Sequence, residues 1–207
     1  MKGAIWFTVI MAFLAITSCK KLDFSKSDID IGGGKWLYYD DGRNFTGISA
    51  NSLGNFDIAI RFSPSQLTDY DGFEISQVRF YPLVDDPATY SVTLWKGFEP
   101  PYLIHIQSAT VEAGKWNTEN IDSTLYVDAS SQLWVGIKVQ NYPAGSYPAG
   151  VDEGPANAGR GDLYSINNGV NWYSLYYTDG INYNWNLQVL LTHPSGKKTL
   201  IVSGHEY

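Results

Sequence analysis

The chain has 207 residues, of which 44% are hydrophobic, 15% are aromatic and 17% are charged. Its 14 basic and 21 acidic residues give a formal net charge of -7, and it contains a single Cys. The hydrophobic content is too high for an intrinsically disordered chain, and the acidic balance provides no basic surface for a nucleic acid. One Cys allows neither an intrachain disulfide nor a zinc site built from pairs of Cys.

Residues 1–18 are predicted to form a signal peptide. Lys2 precedes an apolar run at 4–16, which is too short to cross a hydrocarbon core of about 30 Å as a helix. The run ends in Ile16-Thr17-Ser18-Cys19, which resembles a bacterial lipobox, where the Cys after the cleavage site carries the lipid. We therefore expect lipid attachment at Cys19 and an outer membrane lipoprotein that faces the cell surface. A plain secretory signal followed by an incidental Cys is the alternative.

Residues 19–34 are predicted to be the lipidated Cys and a flexible tether, because this stretch is polar and ends in three glycines. The remaining residues, 35–207, are predicted to form one domain. Apolar and polar residues alternate with a period of two at 56–62, 90–94 and 133–139, which indicates strands with two different faces. Further β-rich segments occur at 73–81, 102–109, 121–127, 172–177 and 185–192, and residues 64–70 favour one short helical turn.

About nine or ten short strands in one body predict an all-β fold of two packed antiparallel sheets. The long stretch 141–162, rich in Gly, Pro and Ala, favours a β-sandwich with elaborated loops over a plain barrel.

Several short motifs follow one another along the body. They are WLYYDDG at 36–42, AIRF at 59–62, YDG at 70–72, LWKG at 94–97, LWVG at 133–136, YPA at 147–149, DEGP at 152–155, GRGD at 159–162 and NWN at 184–186. In this order they resemble the adhesin-type β-sandwich modules of Bacteroidetes surface proteins, similar to the cleaved-adhesin domains of gingipains and haemagglutinins. The resemblance covers residues 36–192 and implies a galactose-binding-like jelly roll, a structural calcium ion and a role in attachment.

Acidic residues beside glycine-rich turns are candidate ligands for that calcium, since hard cations prefer several oxygen atoms. The candidates are Asp40, Asp41, Asp152, Glu153 and Asp162. The alternative is that these residues only cap turns.

Aromatic residues are the second candidate site. Trp95 and Trp134 occupy strand positions opposite the aliphatic face, where they are either exposed or covered by a loop. Aromatic residues in loops are the better ligand contacts, because loops carry function on a rigid scaffold. These are Tyr142, Tyr147, Trp172, Tyr173, Tyr176, Tyr177 and Tyr183.

No nucleophile elbow, HExxH motif or phosphate-binding loop is present in the sequence, so we expect no enzymatic activity. The sequence favours a non-catalytic, lipid-anchored adhesin that binds a host or community ligand, either protein or glycan. The alternative function is a carbohydrate-binding accessory lipoprotein of a polysaccharide uptake system. Neither the ligand nor the oligomeric state follows from the sequence.

Overall fold

The computed structural model describes residues 34–50 and 54–194. The predicted signal peptide, Cys19 and all of the predicted tether except Gly34 lie outside the described residues, as does 195–207. Gly34 is the first residue of a strand. No helix in the described ranges is long and apolar enough to cross a membrane.

The fold is all-β and antiparallel, as predicted, with twelve strands in the described residues where nine or ten were expected. The excess of two or three strands is accounted for by very short segments of two or three residues. The strands are β1 (Gly34–Tyr38), β2 (Thr46–Ile48), β3 (Asn55–Phe62), β4 (Glu74–Phe80), β5 (Thr89–Lys96), β6 (Tyr102–Ala109), β7 (Asn117–Asn120), β8 (Leu133–Gln140), β9 (Ala149–Val151), β10 (Leu163–Ser165), β11 (Tyr173–Ser174) and β12 (Leu187–Thr192).

Two sheets form a β-sandwich. One has the strand order β1-β12-β4-β7, the other has the order β11-β10-β3-β8-β5-β6, and β2 pairs with β9 as a separate ribbon. The chain crosses between the two large sheets after β3, β4, β6, β7 and β11. These crossings bring strands that are distant in sequence next to one another.

The core lies between the two sheets, and it is filled by apolar side chains at alternate positions of the strands. The six-stranded sheet contributes Ile58, Val92 and Val135, and the four-stranded sheet contributes Val78 and Val189. The predicted helical turn is confirmed as α1 (Pro64–Leu67) followed by a 3₁₀ turn at Thr68–Tyr70. The predicted strand at 172–177 is wrong in its second half, because β11 ends at Ser174 and a helix, α2 (Leu175–Asp179), follows.

Candidate functional site

The five predicted calcium ligands fall into two groups. Asp40, Asp152 and Asp162 are buried, while Asp41 and Glu153 are exposed. Among residues 34–50 and 54–194, no group of three or more His, Cys, Asp or Glu side chains is placed to hold a metal ion. The five carboxylates therefore do not form the common ligand set that the sequence predicted, and the buried ones are held by donors from the protein instead.

Asp152 and Asp162 accept hydrogen bonds that fix loops. Asp152 Oδ1 accepts from the backbone N–H groups of Gly154 at 2.9 Å and Asn184 at 2.7 Å, and its Oδ2 accepts from the Asn184 side chain at 2.9 Å. Asp162 Oδ1 accepts from the N–H of Gly159 at 2.7 Å. These bonds satisfy N–H groups in turns, which is the capping role left open by the sequence.

Asp40 differs from the other two, because only one of its oxygen atoms is bonded. Oδ1 accepts from Gln188 Nε2 at 2.7 Å and from the N–H of Gly42 at 2.8 Å, while the buried Oδ2 has no hydrogen-bond partner. Burial is the main cause that raises the pKa of the Asp40 carboxyl to about 7, and the charge of Asp152 acts in the same direction. Asp40 is therefore protonated in part of the population near neutral pH.

The seven predicted aromatic contacts do not lie on one surface. Tyr142 and Trp172 are buried, Tyr183 is half-buried against Phe45, and the other four are exposed. Tyr142 packs edge-on against Phe56 in the sandwich core. Tyr142 and Trp172 therefore lack the exposure that direct contact with a ligand in solution requires.

Three of the exposed residues, Tyr173, Tyr176 and Tyr177, lie on the consecutive elements β11 and α2, and we call them the tyrosine surface. Tyr176 and Tyr177 have ring centroids 5.6 Å apart, and 74% of Tyr177 is exposed. Tyr173 packs on Tyr164 at a centroid distance of 5.6 Å. Two of its rings are therefore adjacent to each other, and the third is supported by Tyr164.

A buried carboxylate holds this surface in place. Asp162 Oδ2 accepts from Ser174 Oγ at 2.5 Å and from the N–H of Tyr176 at 3.0 Å, and Ser174 Oγ accepts from the N–H of Tyr177 at 3.1 Å. Asp162 and Ser174 together cap the N-terminus of α2, whose free N–H groups favour an acceptor with negative charge. The residue predicted as a metal ligand therefore acts as the anchor of the tyrosine surface.

Trp172 belongs to a second buried cluster, on the outer face of the six-stranded sheet. Its ring lies 5.8 Å from that of Trp95 and 5.4 Å from that of Trp134, and the Arg61 guanidinium lies 4.9 Å from the Trp134 centroid. The two strand tryptophans are on the predicted side of the sheet, and the loop that carries Trp172 covers them.

Sequence reasoning missed Asp57 and Lys138, which share this outer face. Lys138 Nζ lies 3.4 Å from Asp57 Oδ1, and Asp57 is only 1% exposed. Burial raises the pKa of the Asp57 carboxyl, and the charge of Lys138 opposes that rise. The signal was present in the alternation of 56–62, where Asp57 stands among residues that face away from the core.

The comparisons with known proteins do not show a family for this chain. No family model matches the chain, and no curated protein matches it. Two solved structures of infectious bursal disease virus, strains Gx and Gt, are similar at 10% and 8% identity, each with a TM-score of 0.33. The matches cover 76% and 83% of this chain but only 31% and 35% of the viral chains, so this chain spans about a third of their length.

The raised pKa of Asp40 predicts that stability falls as pH rises. The Asp40 carboxyl has a pKa of about 7 in the folded state and near 3.8 in the unfolded state. Protonation of Asp40 therefore stabilises the folded state fully below pH 3.8, and this stabilisation is lost as the pH rises to 7. We expect the free energy of unfolding of wild type, relative to Asp40→Asn, to decline between pH 4 and 7 by up to about 1.4 kcal/mol per pH unit. Urea unfolding at each pH measures this, and parallel pH profiles would contradict it.

Proposed function

We propose that this protein is a non-catalytic binding module, anchored by a lipid at Cys19 to the outer membrane and facing the cell surface. Its ligand is a protein or glycan of the host or of the surrounding community. The observation that supports binding best is the tyrosine surface. Tyrosines offer a large apolar ring and a polar tip at a low cost in side-chain entropy, and they are common in recognition surfaces.

The way α2 is attached supports recognition by a rigid surface. Asp162 and Ser174 cap its first turn, and Gly180, with φ of 71°, closes its C-terminus through hydrogen bonds to Leu175 and Tyr176. Such a preorganised helix loses little conformational freedom when a ligand binds. The tyrosines are therefore displayed in a fixed arrangement.

We also propose that the sandwich is a galactose-binding-like jelly roll, as the adhesin resemblance implies. The repeated crossing of the chain between the two sheets supports this, since Greek-key connections of this kind build jelly rolls. An adhesin function is consistent with such a scaffold, because its loops gather at the two ends of the sandwich, where they are open to ligands.

The lipid anchor predicts that Cys19→Ser abolishes attachment. We expect the wild-type protein to incorporate an alkyne-labelled fatty acid and to sediment with membranes, because several acyl chains bind a bilayer stably. The Cys19→Ser variant should incorporate no label and appear in the soluble fraction. Equal labelling of both proteins would contradict lipidation at this residue.

The tyrosine surface predicts a selective loss of binding. Purified protein is screened on arrays of glycans and matrix proteins, and Tyr177→Ala and Tyr176→Ala are then compared with wild type on the ligand found. We expect each substitution to weaken binding by about tenfold or more, as for an aromatic hot spot. Tyr126→Ala is the matched control, because Tyr126 is also exposed but lies outside this surface. Equal effects of Tyr177→Ala and Tyr126→Ala, or no ligand on either array, would contradict the proposal.

A further inference from the structure

The outer face of the six-stranded sheet consists of three rows of residues that run across the strands. Cross-strand partners define an aromatic row, a row of small residues and a polar row. The aromatic row is Trp95, Trp134 and Arg61, the small row is Thr93, Gly136 and Ala59 and ends against Leu163, and the polar row is Ser91, Lys138, Asp57 and Ser165. Adjacent rows are two residues apart along each strand, or roughly 7 Å. The small row is therefore the floor of a groove between an aromatic wall and a polar wall.

The floor has no room for a larger side chain at its centre. A Cβ on Gly136 would lie 2.6 Å from the Ile58 carbonyl oxygen and 2.8 Å from Thr93 Oγ1. Trp172 packs with Ala59, Trp95, Trp134 and Leu163 as one buried cluster, so its indole is the present occupant of the groove.

Trp172 fills the groove but leaves several of its buried polar atoms without hydrogen bonds. Eight buried side-chain polar atoms in the described ranges have no hydrogen-bond partner, and five of these belong to this layer. They are Asp57 Oδ1, Asp57 Oδ2, Thr93 Oγ1, Trp95 Nε1 and Trp172 Nε1. Asp57 Oδ1 has the Lys138 ammonium 3.4 Å away as an ion-pair partner, which leaves the other four without a polar partner of either kind. Buried polar atoms are nearly always paired, and each exception requires an explanation. An indole fills the space but offers one donor and no acceptor to this set.

The loop 166–172 that carries Trp172 is tied to the outer face through two side chains, those of Ser165 and Lys138. Ser165 Oγ donates to Asn167 Oδ1 at 2.9 Å and accepts from the N–H groups of Asn167 at 3.3 Å and Gly169 at 2.9 Å, and Lys138 Nζ donates to Asn168 Oδ1 at 2.8 Å. The bond from the N–H of Asn171 to Asn167 Oδ1 stays within the loop. Ile166 and Val170 are exposed. Displacement of the loop therefore breaks side-chain hydrogen bonds to Ser165 and Lys138 and leaves the pairing of the strands intact.

We propose that the loop 166–172 is a displaceable cover, and that the groove beneath it binds a glycan of equatorially substituted pyranose units in the place of Trp172. The inference rests on the proposed function only in that the ligand is taken from outside the cell.

The chemistry of the walls selects this ligand class. Axial C–H groups make both faces of such a pyranose apolar, which suits stacking on Trp134, and its hydroxyl groups lie around the rim. Those hydroxyls both donate and accept, so one ring can bond to the Asp57 carboxylate, the Thr93 hydroxyl and the Trp95 N–H. An aromatic ligand would leave these atoms unpaired, and an anion would be repelled by Asp57. Sites of this kind combine apolar walls with a few placed polar groups.

Gly169→Ala opens the groove without altering any residue that lines it. Gly169 lies against Trp95, and a Cβ at this position would lie 2.8 Å from two atoms of the Trp95 ring, so the loop must move away. Gly145→Ala is the matched control, because Gly145 has nearly the same backbone conformation, with φ of 80° against 77°, and open space around its Cβ position. Any effect of backbone strain alone appears in both variants.

Binding of cellohexaose and xylohexaose is measured by calorimetry on wild type and on both variants, and acrylamide quenching of Trp fluorescence is measured without ligand. We expect Gly169→Ala to bind at least one hexaose about tenfold more tightly than wild type and to be quenched more strongly. Gly145→Ala should match wild type in both measurements. Asp57→Asn in the Gly169→Ala background should lose that gain.

A folded Gly169→Ala variant that binds both hexaoses no better than wild type overturns the inference. If this variant does not fold, Trp172→Ala replaces it, since that change removes the occupant, and unchanged affinity there has the same meaning. Tyr177→Ala separates the two proposals. Loss of binding in Tyr177→Ala with no gain in Gly169→Ala supports the tyrosine surface and overturns the groove, whereas a gain in Gly169→Ala that persists with Tyr177→Ala supports the groove alone.

Discussion

The alternation of side chains between the two faces of β3, β5 and β8 is the constraint on which the rest of the structure depends. Inward positions such as Ile58, Val92 and Val135 build the core between the sheets. The same period places Trp134 and Asp57 on the opposite face, because neighbouring side chains on a strand point to opposite sides. A shift of register by one residue would exchange the two sets and bury Asp57 and Lys138 in the sandwich core. Core and candidate groove are therefore two consequences of one pattern.

Buried carboxylates organise the loops around this frame. Asp152 holds the 152–154 turn against Asn184, and Asp162 holds the first turn of α2 and with it the tyrosine surface. Each oxygen of these two residues accepts from at least one N–H or O–H donor, which offsets the cost of burial. Asp40 has one oxygen without a partner, so burial shifts its pKa toward neutrality instead. The same residue type thus serves as an anchor or as a titrating group according to its donors.

Local pattern was sufficient for the all-β fold, for the turn at 64–70 and for the side of the sheet that carries Trp95 and Trp134. It was not sufficient for α2, because a short helix next to a strand depends on its cap, and the Ser174 cap is itself held by Asp162, twelve residues earlier in the sequence. The groove could not be predicted from local pattern either. Its rows join strands that are far apart in sequence, and its cover comes from the 166–172 loop. The sequence singled out the acidic residues beside turns as candidate ligands. Whether their carboxylate oxygens bind a metal or accept hydrogen bonds from the protein depends on tertiary contacts.

The most direct test of the displaceable cover is hydrogen exchange of the indole N–H groups. The exchange rates are measured by NMR at increasing concentrations of denaturant. Trp95 and Trp172 are buried beneath the loop, whereas the buried indole of Trp185 donates to the Leu163 carbonyl at 2.8 Å within the sandwich. Displacement of the loop exposes the first two without global unfolding. The account predicts that Trp95 and Trp172 exchange about a hundredfold faster than Trp185, with little dependence on denaturant. Exchange of all three at the rate and denaturant dependence of global unfolding would contradict it.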